Sequence, residues 1–217
     1  MRFGVLGTGM VGQAIATKLL SIGHAVTMGS RQAGNDRAVA WAAGAGQDAA
    51  EGSFADAAAF GEVVFNATAG AASLAVLAGA GADNLAGKVL IDVANPLDMS
   101  AGMPPALTVC NTDSLGEQIQ RAFPAVRVVK ALNTVNADVM VEPGVVPASH
   151  TAFVSGDDPE AKAQVVELLA SFGWGADDIM DLGDITSARG TEMYLALWLR
   201  LWGATGTGHF NVKVVTA

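Results

Sequence analysis

Cysteine is nearly absent from this 217-residue sequence, because Cys110 is the only one and cannot form a disulfide within the chain. Histidine is scarce too, and His24, His150 and His209 have no cysteine or second histidine at the spacing of a metal site. These absences exclude a disulfide-stapled scaffold and argue against a bound metal. We therefore expect a cytoplasmic protein, since reducing compartments disfavour disulfides.

Basic residues are also few, with 12 Lys and Arg against 21 Asp and Glu and a net charge of −9. The basic surface that binds nucleic acid is therefore missing, and we expect no nucleic-acid partner. The longest run without charge, residues 63–82, is mainly Ala and Gly and includes Asn66, Thr68 and Ser73. Such small residues contribute little transfer energy, so we expect a buried strand, a loop and a helix there, and no membrane association.

Hydrophobic residues make up 51% of the chain, and short β-rich runs alternate with Ala-rich stretches of helical character. This alternation predicts an α/β protein with a doubly wound, mainly parallel sheet that is covered on both faces. The predicted strands are residues 2–6, 25–29, 62–67, 88–93, 126–131, 151–155 and 179–182. The predicted helices are residues 10–22, 35–43, 53–60, 114–123 and 159–172.

The strongest motif stands at the N-terminus, where an apolar strand is followed by a GxGxxG sequence and an apolar-periodic helix. Its residues are Gly7, Thr8, Gly9, Met10, Val11 and Gly12. In this context the first glycine permits a tight turn, the second admits a pyrophosphate, and the third lets helix and strand pack closely. The motif predicts a Rossmann dinucleotide-binding domain.

The end of the second predicted strand indicates which dinucleotide binds. Domains that bind NAD place an acidic residue there, whereas this sequence reads Gly29-Ser30-Arg31. A hydroxyl and a guanidinium can hold the 2′-phosphate of NADP(H), with Arg37 and Asn35 as weaker helpers. The alternative is that Arg31 is an ordinary solvated charge.

Several dehydrogenase classes are excluded by missing residues. Short-chain dehydrogenases require a lysine four positions after a tyrosine, and Tyr194, the only tyrosine, lacks one. Lactate-type dehydrogenases require a histidine paired with a carboxylate and an arginine that binds the substrate, and no histidine here has such neighbours. We interpret His150, in a Pro-flanked loop, as a surface histidine, and His24 and His209 likewise. Hydride transfer directly between two redox rings needs no catalytic side chain, and we expect none.

We divide the chain into an NADP-binding domain, residues 1–184, and a small C-terminal helix and strand extension, residues 185–217. The predicted helix 191–204 is apolar on nearly every face, with Tyr194, Trp198 and Trp202 on one stripe. A helix of this kind must be covered on all sides. We therefore expect a homodimer interface or a ligand pocket at this stripe.

The ordered set of motifs resembles the NADPH-dependent deazaflavin (coenzyme F-420) reductase family, whose fold is also similar to the oxidoreductase domain of the STEAP metalloreductases. Beyond the glycine motif and Gly29-Ser30-Arg31, the resemblance rests on residues 95–97, 129–134, 156–158, 188–189 and 206–208. It extends over essentially the whole chain. It implies a Rossmann domain that binds NADP with the deazaflavin stacked against the nicotinamide.

The resemblance also assigns residues to the site. Thr8, Met10 and Val11 would meet the pyrophosphate, and Ala69 and Gly70 would lie on the nicotinamide side. The floor between the two rings would be formed by Asn95 and Asn133, for which a turn before Pro96 and a strand-end cap are the structural alternatives.

The leading functional hypothesis is an NADP-dependent oxidoreductase that exchanges hydride with coenzyme F-420 or a flavin-like ring as a small-molecule redox co-substrate. A second hypothesis is the reduction of a ferric or quinone acceptor through a diffusible flavin. A third is a regulatory protein that binds NADPH without catalysis. The fold alone does not separate these three hypotheses.

Overall fold

The computed structural model describes all 217 residues and contains ten strands and ten α-helices. The strands are β1 (Arg2–Leu6), β2 (Ala25–Ser30), β3 (Ala49–Ser53), β4 (Val63–Asn66), β5 (Val89–Asp92), β6 (Leu97–Asp98), β7 (Ala106–Leu107), β8 (Arg127–Ala131), β9 (Ala152–Ser155) and β10 (Ile179–Asp181). The helices are α1 (Met10–Ser21), α2 (Asp36–Ala45), α3 (Phe54–Phe60), α4 (Gly70–Ala80), α5 (Ala82–Leu85), α6 (Leu115–Ala122), α7 (Ala137–Val141), α8 (Pro159–Phe172), α9 (Ala188–Met193) and α10 (Leu195–Thr205).

Eight strands form one sheet in the order β10, β9, β8, β5, β4, β1, β2 and β3, and β6 pairs with β7 separately. All neighbours in the large sheet are parallel except β8 and β9, which pair antiparallel. The strand order reverses between β1 and β4, as in a doubly wound Rossmann sheet, where ligands bind beyond the carboxyl ends of the strands. The predicted fold class is confirmed.

Two apolar cores cover the two faces of the sheet. In β5, Val89 and Ile91 belong to one core and Leu90 to the other, because successive side chains of a strand point to opposite faces. Helices α1, α2, α7 and α8 cover the first face, and α3 to α6 with α9 cover the second. No helix is both long and apolar enough to cross a membrane.

The seven predicted strands and five predicted helices all form, with ends shifted by one or two residues. Strand β3 was not predicted, because Ala49–Ser53 contains no β-branched or aromatic residue and becomes a strand only by pairing along β2. The predicted helix 191–204 is observed as α9 and α10, divided at Tyr194. The strand expected in the C-terminal extension does not form, and residues 206–217 contain no helix or strand.

The interpretation of His150 as a surface histidine is wrong. Only 5% of this residue is exposed, its Nε2 lies 3.0 Å from the carbonyl oxygen of Pro143, and its Nδ1 lies 2.9 Å from Nδ2 of Asn211. The ring also packs edge-on against Trp174. Trp174 and Asn211 lie 24 and 61 positions further along the chain, so the sequence around His150 did not reveal this burial. His24 is half-buried, and His209 is exposed as expected.

Candidate functional site

The turn between β1 and α1 has the geometry that the glycine motif predicts. Gly7 has a φ of 122°, which side-chain-bearing residues rarely adopt, and a β-carbon on Gly12 would collide with the carbonyl oxygen of Gly7. Gly9 begins α1 in open space, and no side chain caps this helix. The amides of its first turn are therefore available to an anionic ligand such as a pyrophosphate.

The end of β2 lies beside this turn, because the Gly7 amide donates to the carbonyl oxygen of Gly29 at 3.0 Å. Ser30 is buried and its hydroxyl donates to the carbonyl oxygen of Gln32 at 2.5 Å, so its proton already has an acceptor. Arg31 and Arg37 are exposed and form no ion pair. These two guanidinium groups are the free cations at this end of the sheet.

Asn35, predicted as a helper, instead caps helix α2. Its side-chain oxygen accepts from the amides of Arg37 and Ala38 at 3.1 and 3.3 Å. This contact fixes the start of the helix that carries Arg37, so Asn35 acts on the guanidinium only through the backbone.

A cleft of about 620 Å³ opens beyond the carboxyl ends of β1, β4, β5 and β8. The predicted site residues that line it are Met10, Val11, Ala69, Gly70, Asn95 and Asn133. The others do not line the cleft and belong to the glycine turn, the end of β2 or the start of α2; they are Gly7, Thr8, Gly9, Gly12, Ser30, Arg31 and Arg37. The structure thus separates the predicted residues into two adjoining groups, which meet where Met10 and Val11 begin α1.

Asn95 and Asn133 lie together and line the cleft on the side that we call its floor. The Asn133 side chain donates to Oδ1 of Asn95 at 2.9 Å, and the Asn95 side chain donates to the carbonyl oxygen of Asn133 at 2.8 Å. The preceding residue, Leu132, is buried and has a φ of 60°, a left-handed conformation that costs a leucine about 1 to 3 kcal/mol. This strained turn directs the chain after β8 so that the two amides can pair.

One wall of the cleft comes from the C-terminal extension, where Leu195, Trp198 and Trp202 of α10 face the cleft. The two indole rings stack with centroids 6.1 Å apart, and Phe210 stacks on Trp198 at 5.3 Å. Tyr194, predicted on the same stripe, does not line the cleft. Its hydroxyl is buried without a hydrogen-bond partner, and burial raises its pKa.

A buried ionic cluster beneath the floor was not predicted. Lys130 of β8 is 1% exposed, and its ammonium lies 2.8 Å from Asp92, 2.8 Å from Glu192 and 2.5 Å from the carbonyl oxygen of Ala94. Burial alone would lower the pKa of Lys130, but the two carboxylates outweigh it and raise this pKa. The available signal was one lysine inside the apolar run of β8, since a charge there must be paired.

This cluster joins elements that are far apart in sequence. Glu192 of α9 also accepts from the amides of Leu115 and Gly116, which begin α6. Asp92 accepts from the side chain of Asn66 at 2.8 Å, and Asn66 in turn accepts from the Thr68 hydroxyl at 2.7 Å at the wall of the cleft. Polar contacts therefore run without interruption from Glu192 in the C-terminal extension to Thr68 at the wall of the cleft.

Comparisons with known proteins identify the family of this chain. Residues 2–96 match the family described as NADP oxidoreductase, coenzyme F-420-dependent. A solved structure from Arthrobacter sp. FB24, provisionally described as an F-420-dependent NADP-reductase, is 53% identical, covers 100% of both chains and superposes with a TM-score of 0.94. This chain belongs to that family.

Family membership makes the protein an NADP-dependent oxidoreductase. A second relative is Metalloreductase STEAP3 from Rattus norvegicus, which is 32% identical over 203 residues; these cover 92% of this chain but only 37% of that protein. An imine reductase from Aspergillus terreus, solved with NADPH4 and dibenz[c,e]azepine, is 22% identical over 94% of this chain and 62% of its own, with a TM-score of 0.66. This last likeness supports the fold alone.

Proposed function

We propose that this protein transfers hydride directly between NADPH and a deazaflavin such as coenzyme F-420, or a flavin-like ring. The observation that carries the proposal is a single cleft that adjoins the glycine turn and has a second, aromatic wall formed by Trp198 and Trp202. Its volume of about 620 Å³ lies within the range of small-molecule sites. The cleft can therefore hold two planar groups against each other.

The residues around the glycine turn fit NADP. We assign the pyrophosphate to the uncapped first turn of α1, with Thr8, Met10 and Val11 beside it, and the 2′-phosphate to Arg31 and Arg37. The Ser30 hydroxyl donates to the carbonyl oxygen of Gln32, so it contacts the 2′-phosphate as a donor only if this proton turns away from Gln32.

The ring end of the cleft fits the nicotinamide and its reaction partner. We assign the nicotinamide to Ala69 and Gly70 at the start of α4, above the paired amides of Asn95 and Asn133. When bound at these residues, NADPH would supply a hydride to the acceptor ring, which would also take up one proton from solvent, and NADP⁺ would remain. The chain contributes orientation and exclusion of water, so no catalytic side chain is required.

We further propose that residues 185–217 act as a C-terminal unit that provides the acceptor side of the cleft and a homodimer interface, while residues 1–184 hold NADP. The contacts of Trp198 and Trp202 with the cleft support the first role. Exposed apolar side chains on α10 support the second, because Leu197 and Trp202 are 53% and 42% exposed in the single chain.

A second candidate is reduction of a flavin that passes its electrons to a ferric acceptor, which the similarity to Metalloreductase STEAP3 supports. The test is to mix the protein with NADPH and a deazaflavin, a flavin, a flavin with ferric iron, or nothing. We expect the near-ultraviolet absorbance of NADPH to fall only when a ring compound is present. Tight NADPH binding without oxidation in any mixture would contradict the proposal and indicate a regulatory protein.

A further inference from the structure

The buried ionic cluster beneath the cleft floor contains one more acid than base. Lys130 is its cation, and Asp92 and Glu192 are its two acids, each at most 1% exposed. An ammonium has three protons to donate, and that of Lys130 contacts one oxygen of each carboxylate and the carbonyl oxygen of Ala94. The single cation is therefore fully used and is shared between two acids.

The hydrogen bonds of the cluster require both carboxylates to be ionised. Asp92 accepts on Oδ1 from the Asn66 side chain and the Ala94 amide, and on Oδ2 from Lys130. Glu192 accepts on Oε1 from Lys130 and on both oxygens from backbone amides at the start of α6. Every carboxylate oxygen faces an N–H donor, which leaves no acceptor for the proton of a carboxylic acid. The amides add dipoles but no net charge, so the cluster carries a charge of −1.

This buried charge lies directly below the part of the cleft assigned to the nicotinamide. Ala94, whose carbonyl oxygen contacts the Lys130 ammonium at 2.5 Å, itself lines the cleft. On the other side, Asn66 connects Asp92 to Thr68, which also lines the cleft. Only one layer of residues therefore separates the cluster from the cleft.

The other charges around the cleft are balanced or solvated. Asp138 at the mouth contacts His209, and both side chains are more than half exposed. Arg200 of α10 is exposed as well. Water and salt screen such groups strongly. Arg189 and Glu117, near the cluster on α9 and α6, form an ion pair and add no net charge. The cluster is thus the least screened net charge beside the cleft.

We infer that Asp92 and Glu192 set the preference of the site between the two oxidation states of its cofactor, and that their net negative charge favours NADP⁺ over NADPH. The inference rests on the proposed function, in which the nicotinamide lies above this floor. Loss of a hydride, which is one proton with two electrons, leaves a positive charge on the nicotinamide ring. A buried anion attracts this charge and leaves the neutral ring of NADPH unaffected.

The size of the effect follows from Coulomb's law. A unit charge that acts over about 10 Å, at an effective dielectric constant of roughly 25 to 50, changes an affinity by about three- to tenfold. Glu192→Gln and Asp92→Asn each remove one negative charge and nearly preserve the side-chain volume. In both variants the ratio of the dissociation constant of NADP⁺ to that of NADPH should rise by this factor. Buried charges are screened little, so the rise should persist at high salt.

Isothermal titration calorimetry of the whole protein with NADP⁺ and with NADPH, at low and high salt, measures these ratios. Glu62→Gln is the matched control, because Glu62 is exposed just before β4, at the opposite end of that strand from Asn66. Its loss changes the net charge equally but should leave the ratio within about twofold of that of the unmodified protein.

A purely structural role of the cluster would weaken both forms of the cofactor by the same factor. An unchanged ratio in either acidic variant that folds, as judged by circular dichroism, would therefore overturn the inference. NADPH binding more than tenfold tighter than NADP⁺ in the unmodified protein would overturn it without any variant. If the unmodified protein binds both forms but oxidises NADPH with no ring compound, the proposed function fails, while the ratios still test the charge of the floor.

Discussion

Replacing Lys130 with Met is the most informative test of how the cleft floor is held. Methionine nearly preserves the volume but removes the ammonium that contacts Asp92, Glu192 and the carbonyl oxygen of Ala94. Two carboxylates, each at most 1% exposed, then remain without their shared cation. Removing one partner of a buried ion pair costs about 3 to 5 kcal/mol. This is a large fraction of the typical 5 to 15 kcal/mol of a folded protein.

Urea unfolding followed by tryptophan fluorescence measures this loss. With a slope of about 2 kcal/mol per molar, Lys130→Met should lower the midpoint by roughly 1.5 to 2.5 M. Lys88→Met is the control, because the Lys88 ammonium donates to the carbonyl oxygens of Ala58 and Ala59 and its loss strands no carboxylate in the core. We expect the control substitution to lower the free energy of unfolding by about 1 kcal/mol. A cost within 1 kcal/mol of zero for Lys130→Met would refute the reasoning.

The dependence on pH has a definite sign. In the unmodified protein the pKa of Lys130 is raised by folding, so the stability that it contributes is present below the unfolded pKa of about 10.4 and is lost as pH rises through the higher folded value. The stability advantage of the unmodified protein over Lys130→Met should therefore shrink as pH rises above about 10.4, which the urea midpoints of both proteins measure.

A second substitution separates loss of charge balance from loss of packing. The double variant Lys130→Met with Glu192→Gln removes one stranded carboxylate, so it should be more stable than Lys130→Met alone by about 1 to 3 kcal/mol. If packing alone mattered, the second substitution would only add a further loss.

Three further predictions concern binding, assembly and turnover. Arg31→Ala should weaken the binding of NADPH about ten- to a hundredfold and leave the binding of NADH nearly unchanged. The double variant Ser30→Asp with Arg31→Ala should bind NADH more tightly than NADPH. Equal affinities for both cofactors in the unmodified protein would contradict this prediction. Sedimentation should show a homodimer that Trp202→Glu or Leu197→Glu disrupts, whereas a monomer at all concentrations would exclude that interface. Replacing His209 or any other histidine or carboxylate near the cleft should slow turnover only modestly, and a loss of about 10² to 10⁴ at constant NADPH affinity would reveal an acid or base.

The sequence alone predicts those features that are determined by a few neighbouring residues. Gly7 and Gly12 occupy positions that a β-carbon would strain or fill, so the glycine motif and its turn could be predicted without any tertiary information. The strand β5 is an apolar run that is buried on both faces, which is the expected pattern for a central parallel strand. Asn95 and Asn133 follow strands β5 and β8, and neighbouring parallel strands bring their carboxyl ends together.

Features that depend on distant partners could not be predicted in the same way. Strand β3 exists because β2 offers an edge, and His150 is buried because Pro143 and Asn211 approach it in the fold. The partners of Lys130 lie 38 and 62 positions away, and only the assembled sheet and α9 show that both carboxylates reach one ammonium.

Contacts at the adenosine end of the proposed NADP site and contacts at its nicotinamide end differ in their effect on the direction of hydride transfer. The adenosine 2′-phosphate is the same in NADPH and NADP⁺, so a contact from Arg31 stabilises both oxidation states equally and cannot favour either direction of transfer. The nicotinamide gains a positive charge on oxidation, so, with the nicotinamide placed as we propose, groups near Asn95 and the buried cluster beneath it are the ones that can distinguish the two states. Arg31→Ala should therefore weaken the binding of NADPH and the binding of NADP⁺ by the same factor, within about twofold. Titrations of both forms against the variant measure this directly, and unequal factors would place Arg31 at the nicotinamide end instead.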